Sequence, residues 1–421
     1  MKKMRIVTNS MALILISAGM WLTTATSSAQ ELTAKERLGK SIFFDKNLSA
    51  NRNQSCASCH APEVGWTGPD ATLNAGGSVY EGSISKRFGN RRPPSSAYAT
   101  ALPNFHFDKK EGCFLGGNFW DGRATGEKLG NPAADQAQGP FLNPVEQALS
   151  SPADVVSRVC GGNYADQFKK VWGEDVCDKN KVSAAYDKIA LSITAFEASP
   201  ESNAFTSKYD YFLKGLVVLT SEERRGLDLF KGKGMCANCH TLDSNGTPPL
   251  LTDASYDNIG VPPNPDNPFY ARKEFNRAGD KWVDRGLGEF LAGRKDYQGL
   301  ARDNYGKHKV PTLRNVDKRP GAGFVKAYAH NGYFKSLKAM VHFYNTRDVK
   351  PACAAPFTTE KDAMAQNCWP APEVTANLNK AEMGNLHLTN DEEDAIVAFL
   401  KTLTDGYRAE APPFPAHESK R

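Results

Sequence analysis

Apolar residues recur along this 421-residue chain mostly at the helical spacing of three and four, and segments with strict two-residue alternation are scarce. The clearest case begins at Thr389-Asn-Asp-Glu392, a capping-box sequence. It is followed by an apolar stripe made of Ile396, Phe399, Leu400 and Leu403. Such a stripe is most simply the buried face of a helix. The pattern therefore predicts a mainly α fold that ends in an amphipathic helix.

A second helical pattern occurs twice. Gly39 and Phe43 are four residues apart, as are Gly226 and Phe230, so each pair lies on one helical face. The later copy is preceded by Thr220-Ser-Glu-Glu223, another capping box. This repetition predicts two similar helical units in tandem.

The N-terminal residues have the features of a secretory signal peptide. A basic start (Lys2, Lys3, Arg5) is followed by an apolar stretch at 11–21 and a small-residue cleavage site that ends at Ala29. The stretch is short for a membrane span, although retention as an anchor is the alternative. We therefore expect residues 1–29 to be a cleaved leader and the mature protein to be soluble and periplasmic.

Two C-x-x-C-H motifs indicate the chemistry. They read Cys56-Ala-Ser-Cys59-His60 and Cys236-Ala-Asn-Cys239-His240. This pattern is typical of covalent c-type haem attachment, in which both thiols bind the haem vinyl groups and the His binds the iron. The alternative is one structural zinc held by both cysteine pairs, which would leave His60 and His240 without a role. The motifs thus predict two c-type haems, with His60 and His240 as iron ligands.

Each haem motif follows one copy of the glycine–phenylalanine repeat. A helix, a C-x-x-C-H motif, loops and a closing helix are the layout of a class I cytochrome c. We therefore expect two cytochrome c-like domains with long loops, at residues 30–215 and 216–410. The Pro-rich residues 411–421 form a predicted tail.

Composition and charge narrow the class of partner. Charged residues make up 24% of the chain, and its net charge is +5 at pH 7. Three of the basic residues lie in the predicted leader, so the mature chain would carry about +2. This weak charge argues against nucleic acid or an anionic membrane as a partner.

The residues available as second iron ligands differ between the two halves. No Met lies between Trp21 and Gly234, and no His lies between His60 and His106. The first haem is therefore expected to be five-coordinate, with an open face for a small oxidant. His106, more simply a surface imidazole, and Cys113 are weaker candidate ligands.

The second haem has candidate ligands on a predicted helix at residues 336–344. Met340 and Tyr344 share one face of this helix, whereas His342 points elsewhere. Spacing alone does not choose between Met340 and Tyr344, and both could be ordinary core residues.

Five cysteines lie outside the haem motifs. In an oxidising compartment, the pairs that close short loops are Cys160–Cys177 and Cys353–Cys368, each worth roughly 3 kcal/mol. Sequence does not fix this connectivity, and Cys113 is left over.

Several longer segments resemble the bacterial dihaem cytochrome c peroxidase superfamily, which includes MauG-type enzymes. The resemblance covers essentially the whole mature chain. Its most specific segments are Phe119-Trp120-Asp-Gly-Arg-Ala124, Gln136-Ala-Gln-Gly-Pro140 with Glu146, Val310-Pro-Thr-Leu-Arg-Asn315 and Ala329-His330-Asn-Gly332.

The resemblance implies roles for individual residues. The family's Trp between the haems, which relays electrons, matches Trp120. The groups that line the open face of the peroxide-binding haem match Gln136, Pro140 and Glu146. The distal ligand of the second haem, Met in the peroxidases and Tyr in MauG-type enzymes, matches Tyr344.

Physical chemistry gives each role an independent basis. A carboxylate in a mostly apolar pocket, such as Glu146, has a raised pKa and can move the peroxide proton. The alternative is an exposed Glu at the start of a helix. Trp120 offers an oxidisable ring, with an ordinary buried aromatic as the alternative. A Tyr344 phenolate would be a hard anionic ligand that favours oxidised iron.

The chain also departs from the family. Members with a gated first haem place a distal His in the loop after the first motif, and this chain has none there. The interdomain calcium ion of the family usually uses an Asn in an Arg-Asn-Ala-Pro segment. Here the segment reads Arg91-Arg92-Pro93-Pro94, with Asn90 just before it, so calcium has only partial support.

The resemblance implies a periplasmic peroxidase that reduces hydrogen peroxide to water at the first haem. A small redox protein, such as cytochrome c or a cupredoxin, would supply electrons through the second haem. The missing distal His and Tyr344 favour an alternative, a MauG-type enzyme that oxidises a side chain of a partner protein through a high-valent dihaem state. A third possibility, a dihaem electron-transfer cytochrome, requires both irons to be six-coordinate.

Overall fold

Helices are the main regular structure of this protein. The computed structural model describes residues 31–243 and 247–408, so the predicted leader and the predicted tail lie outside the described residues. The α-helices are α1 (Ala34–Phe43), α2 (Ala71–Ala75), α3 (Pro132–Leu142), α4 (Pro152–Cys160), α5 (Ala165–Trp172), α6 (Val182–Ala198), α7 (Lys208–Leu213), α8 (Ser221–Lys231), α9 (Gly286–Ala292), α10 (Leu337–Thr346), α11 (Glu360–Ala365) and α12 (Asn390–Lys401).

The β structure of the described residues is limited to two short antiparallel pairs. Strand β1 (His106–Asp108) pairs with β2 (Cys113–Leu115), and β3 (Tyr256–Asp257) pairs with β4 (His308–Lys309). The second pair joins residues that are far apart in sequence, with Tyr256 opposite Lys309. The prediction of a mainly helical fold with little sheet is confirmed.

The helix starts expected from capping boxes are confirmed. Thr220 precedes α8 and accepts a hydrogen bond from the backbone N–H of Glu223 at 3.2 Å. Thr389 precedes α12 and accepts one from Glu392 at 3.3 Å. In each case the glutamate side chain accepts a bond from the backbone N–H of the threonine, so donors at the helix start are paired in both directions.

The duplicated helices pack in the same way in both halves. Helix α1 packs on α6 and α8 packs on α12, with Gly39 and Gly226 at the two contacts. Beside these glycines, the rings of Phe43 and Phe196 lie 5.4 Å apart, and those of Phe230 and Phe399 lie 5.1 Å apart. The glycine–phenylalanine spacing read from the sequence thus marks two equivalent helix crossings.

Buried apolar side chains form two large clusters. The first runs from Leu32 to Phe196, and the second from Tyr209 to Leu403. The described residues from Leu32 onward nevertheless form one compact unit. The two clusters fall on either side of residues 197–208, close to the division at 215/216, which stays a prediction.

Two disulfides fasten the loops. Cys160 is bonded to Cys177 and Cys353 to Cys368, so both short-loop pairings are confirmed. Cys113 carries a free thiol. In the part of the chain that the structure describes, no helix combines the length and the apolar character needed to cross a bilayer.

Candidate functional site

The first C-x-x-C-H motif lies in a short 3₁₀ helix, Cys56–Ser58, at the wall of a large cavity. Cys56, Cys59 and His60 all line this cavity. The His60 Nδ1–H donates to the carbonyl oxygen of Trp66 at 3.2 Å. Because Nδ1 is used in this way, Nε2 is the ring nitrogen available to a metal. Burial lowers the pKa of His60, which favours the neutral imidazole that iron binds.

The second motif repeats this arrangement in a second cavity. Its 3₁₀ helix is Cys236–Asn238, and Cys236, Cys239 and His240 line the cavity. The His240 Nδ1–H donates to the carbonyl oxygen of Leu251 at 2.9 Å. Burial also lowers the pKa of His240. Both histidines are thus held neutral, with one ring nitrogen used by the backbone.

The donor groups in these cavities fit haem and do not fit a shared zinc ion. All four motif cysteines carry free thiols, as thioether formation requires. Each pair lines a different cavity, so the four sulfurs do not converge on one tetrahedral site. The walls of both cavities are mostly apolar, which suits a large planar ring. When bound, haem would be held by the cysteines, with His60 or His240 on its iron.

The first cavity also brings together the three residues matched to the peroxide site. Gln136 and Pro140 lie four residues apart on α3 and therefore share a face. Glu146 follows in the turn after this helix, and all three line the cavity that contains His60. Since Glu146 lies in a turn on a cavity wall, it is not the exposed helix-start residue of the alternative interpretation.

The Glu146 turn is held by its backbone. The Glu146 carbonyl accepts from the Ser83 N–H at 2.7 Å, and the next residue, Gln147, donates to the Pro140 carbonyl at 3.1 Å. Burial raises the pKa of the Glu146 carboxyl, while the Arg123 charge and a hydrogen bond from Asn143 oppose that rise. The backbone of the turn is therefore held in place, and burial makes the Glu146 carboxyl a stronger proton acceptor than an exposed glutamate.

The second cavity contains the two candidate ligands on α10. Met340 and Tyr344 both line it together with His240. The Tyr344 hydroxyl has no hydrogen-bond partner among the described residues, and burial raises its pKa. His342 points away from the cavity, as predicted, with its Nδ1 2.9 Å from a carboxylate oxygen of Glu393. The geometry thus leaves both Met340 and Tyr344 within the haem cavity.

Trp120 lines both cavities. Its side chain is buried, and its indole N–H donates to the Arg92 carbonyl at 2.9 Å. Its own carbonyl accepts from the backbone N–H of Lys309 at 2.9 Å. One hydrogen bond thus holds the indole and another holds the backbone of Trp120 in the wall that the two cavities share.

The shared wall contains two buried cations that the sequence did not single out. Arg92 and Lys309 each line both cavities. Burial lowers the pKa of Arg92 to about 10 and that of Lys309 to about 7. Neither has an ion-pair partner among the described residues. Arg92 lies inside the segment aligned with the family's calcium-binding stretch, but its sequence gave no sign that the guanidinium would be unpaired.

A polar cluster beside this wall was also missed. The imidazoles of His308 and His330 stack with ring centroids 3.6 Å apart, and Asp284 lies 3.3 Å from the Nε2 of His308. Asp284 also accepts two hydrogen bonds from Arg91, at 2.6 and 2.7 Å. The residues come from strand β4 and from loops that are far apart in sequence, so no local spacing could reveal the cluster.

Two weaker candidates lie outside the site. His106 is exposed on β1, where its Nδ1–H donates to the Asn104 carbonyl at 2.8 Å. Cys113 lies on β2, and neither residue lines a haem cavity. His106 is thus a surface imidazole, as the simpler interpretation predicts. In the segment that suggested calcium, Arg92 places a positive charge that has no ion-pair partner among the described residues, and this charge opposes a divalent cation there.

Comparisons with known proteins agree with this geometry. Residues 33–217 match the family model described as di-haem cytochrome c peroxidase. The chain is 34% identical to the methylamine utilization protein MauG of Paracoccus denitrificans over 94% of both chains. It is 29% identical to the cytochrome c551 peroxidase of Nitrosomonas europaea, covering 87% of this chain and 79% of that one.

A solved structure is also similar over most of the chain. The diheme peroxidase BthA of Burkholderia thailandensis superposes with a TM-score of 0.71 at 28% sequence identity. The match covers 90% of this chain and 88% of that chain.

Proposed function

We propose that this chain, which belongs to the di-haem cytochrome c peroxidase family and carries two c-type haems, is a periplasmic peroxidase. It would reduce hydrogen peroxide to water with electrons from a small redox protein, such as a cytochrome c or a cupredoxin. In this proposal residues 30–215 form the cytochrome c-like domain of the peroxide-binding haem. Residues 216–410 form the domain of the electron-transfer haem.

The observation that carries the proposal is the ligand set of the first cavity. His60 is the only His or Met among the described residues that line it. A haem bound there would have one strong protein ligand and one open face. An electron-transfer cytochrome needs six-coordinate iron at both haems, so this cavity favours an enzyme.

The residues around the open face suit peroxide reduction. Bound haem would supply the iron that takes peroxide and the electrons that split its O–O bond. Glu146 would accept the proton of one peroxide oxygen and deliver it to the other, which leaves as water. Pro140 lacks an N–H group, and with Gln136 it would shape the pocket around the oxidant. Two electrons and two protons then convert one hydrogen peroxide into two waters.

Trp120 would connect the two haems. It lies in the wall shared by both cavities, and its buried indole donates one hydrogen bond to the Arg92 carbonyl. A rigid aromatic ring in this position offers a short route for electrons from the second haem to the first.

The function is tested by steady-state turnover of the purified protein that contains haem. We expect oxidation of reduced cytochrome c or a reduced cupredoxin to depend on peroxide, and haemochrome analysis to give two haems per chain. One haem per chain, or no peroxide-dependent oxidation of either donor, would contradict the proposal.

A spectroscopic prediction follows from the different ligand sets. Ferric protein should show one high-spin and one low-spin haem by EPR, because His60 is the only His or Met that the described residues supply to the first cavity. Two low-spin signals would support the electron-transfer cytochrome instead.

One observation favours a second candidate function, the MauG-type oxidation of a partner protein's side chain. The Tyr344 hydroxyl lines the second cavity and has no hydrogen-bond partner among the described residues, so it is available to iron. A phenolate ligand stabilises oxidised iron, which suits an enzyme that removes electrons from a protein. Peroxide-dependent modification of a partner protein without turnover of a redox donor would select this function over the first.

The ligand of the second haem can be identified directly. We expect Tyr344→Phe to change the low-spin signal and Met340→Leu to leave it unchanged, since Tyr344 has the family position. A Met ligand would give a weak near-infrared sulfur–iron charge-transfer band. The presence of that band in the natural protein, with its loss in Met340→Leu alone, would show that the Tyr344 assignment is wrong.

A further inference from the structure

Arg92 is a buried cation without a counter-charge. Its exposed fraction is 9%, and no carboxylate of the described residues forms an ion pair with it. The side chain of the preceding residue, Arg91, is only 11% exposed and lies 2.6 Å from both Asp121 and Asp284. A buried charge is strongly unfavourable unless it is paired, so the contrast between the two neighbours requires an explanation.

The hydrogen bonds of Arg92 are also incomplete. Its Nε–H donates to the Ala329 carbonyl at 3.0 Å, and its Nη1 donates to the Pro93 carbonyl at 3.2 Å. A guanidinium has five N–H groups. The others have no acceptor among the described residues. Unused donors on a buried cation fit an anionic ligand that enters from the cavities.

The position of Arg92 indicates which anion this is. Its side chain lines both haem cavities and lies 5.4 Å from the Trp120 ring. Each haem has two propionate carboxylates. Two other cations that line the second cavity already have partners: Arg314 forms a bidentate pair with Asp210, and the Lys326 Nζ donates to three backbone carbonyls. Lys309 donates to Gly117 and Asn118.

We propose that Arg92 is the shared counter-cation of both haems, binding one propionate of each with its free N–H groups. The guanidinium would thereby fix the propionate edges of the two haems beside Trp120. Its positive charge would raise the reduction potentials of both haems together, because a nearby cation favours the form with the extra electron. This inference rests on the two bound haems and does not require the peroxide reaction.

The test compares Arg92→Gln, which removes the charge, with Arg92→Lys, which retains it. Midpoint potentials of both haems are measured by spectroelectrochemistry without peroxide. For a unit charge about 10 Å away in a partly buried site, we expect the Gln variant to raise the ferric-to-ferrous ratio of each haem about tenfold at a fixed potential. This corresponds to a fall of about 60 mV. The Lys variant should shift much less.

A second variant separates a shared effect from a local one. Arg123 lines only the first cavity, and its Nη1 is 2.7 Å from Asp121. Arg123→Gln should therefore shift the first haem slightly and leave the second unchanged. Resonance Raman bending bands of the propionates should change in Arg92→Gln and not in Arg123→Gln, because only Arg92 contacts them.

Folding is monitored by haem content, which should remain at two per chain. If Arg92→Gln shifts the potential of one haem alone, Arg92 is not shared. If the ferric-to-ferrous ratio of each haem at a fixed potential changes less than twofold, Arg92 only holds the loop that contains Ala329. If the protein lacks peroxidase turnover but Arg92→Gln shifts both potentials as expected, the proposed function is rejected and the role of Arg92 is still supported.

Discussion

Replacement of Glu146 by Gln should slow the oxidation of the haems by peroxide about 10²–10⁴-fold, the usual contribution of a positioned acid–base group. Glutamine keeps the shape of the side chain but cannot accept the proton of the peroxide. Glu146 lines the first cavity, and burial raises its pKa, so it can both take and release this proton. Stopped-flow absorbance after mixing with peroxide measures the rate. Haem content and spin states should match the natural protein.

The control for this prediction is Glu63→Gln. Glu63 is exposed, lies close to the first haem motif in sequence and does not line the cavity, so its removal should leave the rate unchanged. If Glu146→Gln reacts within a factor of about three of the natural protein, well below the expected range, Glu146 is not the proton acceptor. An ordered water would then be the next candidate.

The pH dependence of the same rate has a definite direction. Proton uptake requires ionised Glu146, so the rate should fall as pH drops through its pKa. Because burial raises this pKa, the fall should lie above the range of an exposed glutamate. Arg123 lowers the same pKa by its charge. Arg123→Gln should therefore move the fall to still higher pH.

Local patterns in the sequence predicted the parts of the site that depend on short spacings. The motifs place Cys56, Cys59 and His60 in one cavity, and the four-residue spacing of Gln136 and Pro140 places both on one face of α3. Capping boxes fixed the starts of α8 and α12. In each case, hydrogen bonds within a few residues determine the geometry, so the sequence contains the necessary information.

The shared wall could not be predicted in this way. Arg91 and Arg92 are adjacent and identical in type, yet Arg91 pairs with Asp121 and Asp284, whereas Arg92 has no ion pair among the described residues. The difference depends on which loops reach each side chain after folding. Asp284 is 193 residues from Arg91 in sequence. Long-range packing of this kind leaves no periodic pattern.

The distal ligand of the second haem could also be predicted only in part, although its candidates lie on one helix. Helical spacing correctly placed Met340 and Tyr344 on the face that lines the second cavity, and His342 on another. It could not choose between the first two, because both side chains reach the cavity. The family position favours Tyr344, and the near-infrared experiment tests that choice.

Addition of a single methyl group at Gly39 or Gly226, where two helices cross closely, should destabilise the fold. A Cβ added at Gly226 would lie 1.9 Å from the Ala395 carbonyl oxygen, and one added at Gly39 would lie 1.9 Å from the Ser192 carbonyl oxygen. Backbone atoms cannot rotate away, so the helices must separate. We expect each Ala variant to lose about 3 kcal/mol or more of stability, the upper part of the range for overpacked cores.

The two variants should also affect different haems. Helices α8 and α12 contribute Phe230 and Ile396 to the wall of the second cavity. Gly226→Ala should therefore destabilise the surroundings of the second haem first. Phe43 and Ile193 line the first cavity, so Gly39→Ala should act there. Thermal unfolding followed at the high-spin and low-spin haem bands separates these effects. Gly323→Ala is the control, because a Cβ there has no atom within 4 Å. If Gly226→Ala unfolds at the same temperature as Gly323→Ala, the close crossing of α8 and α12 does not limit stability.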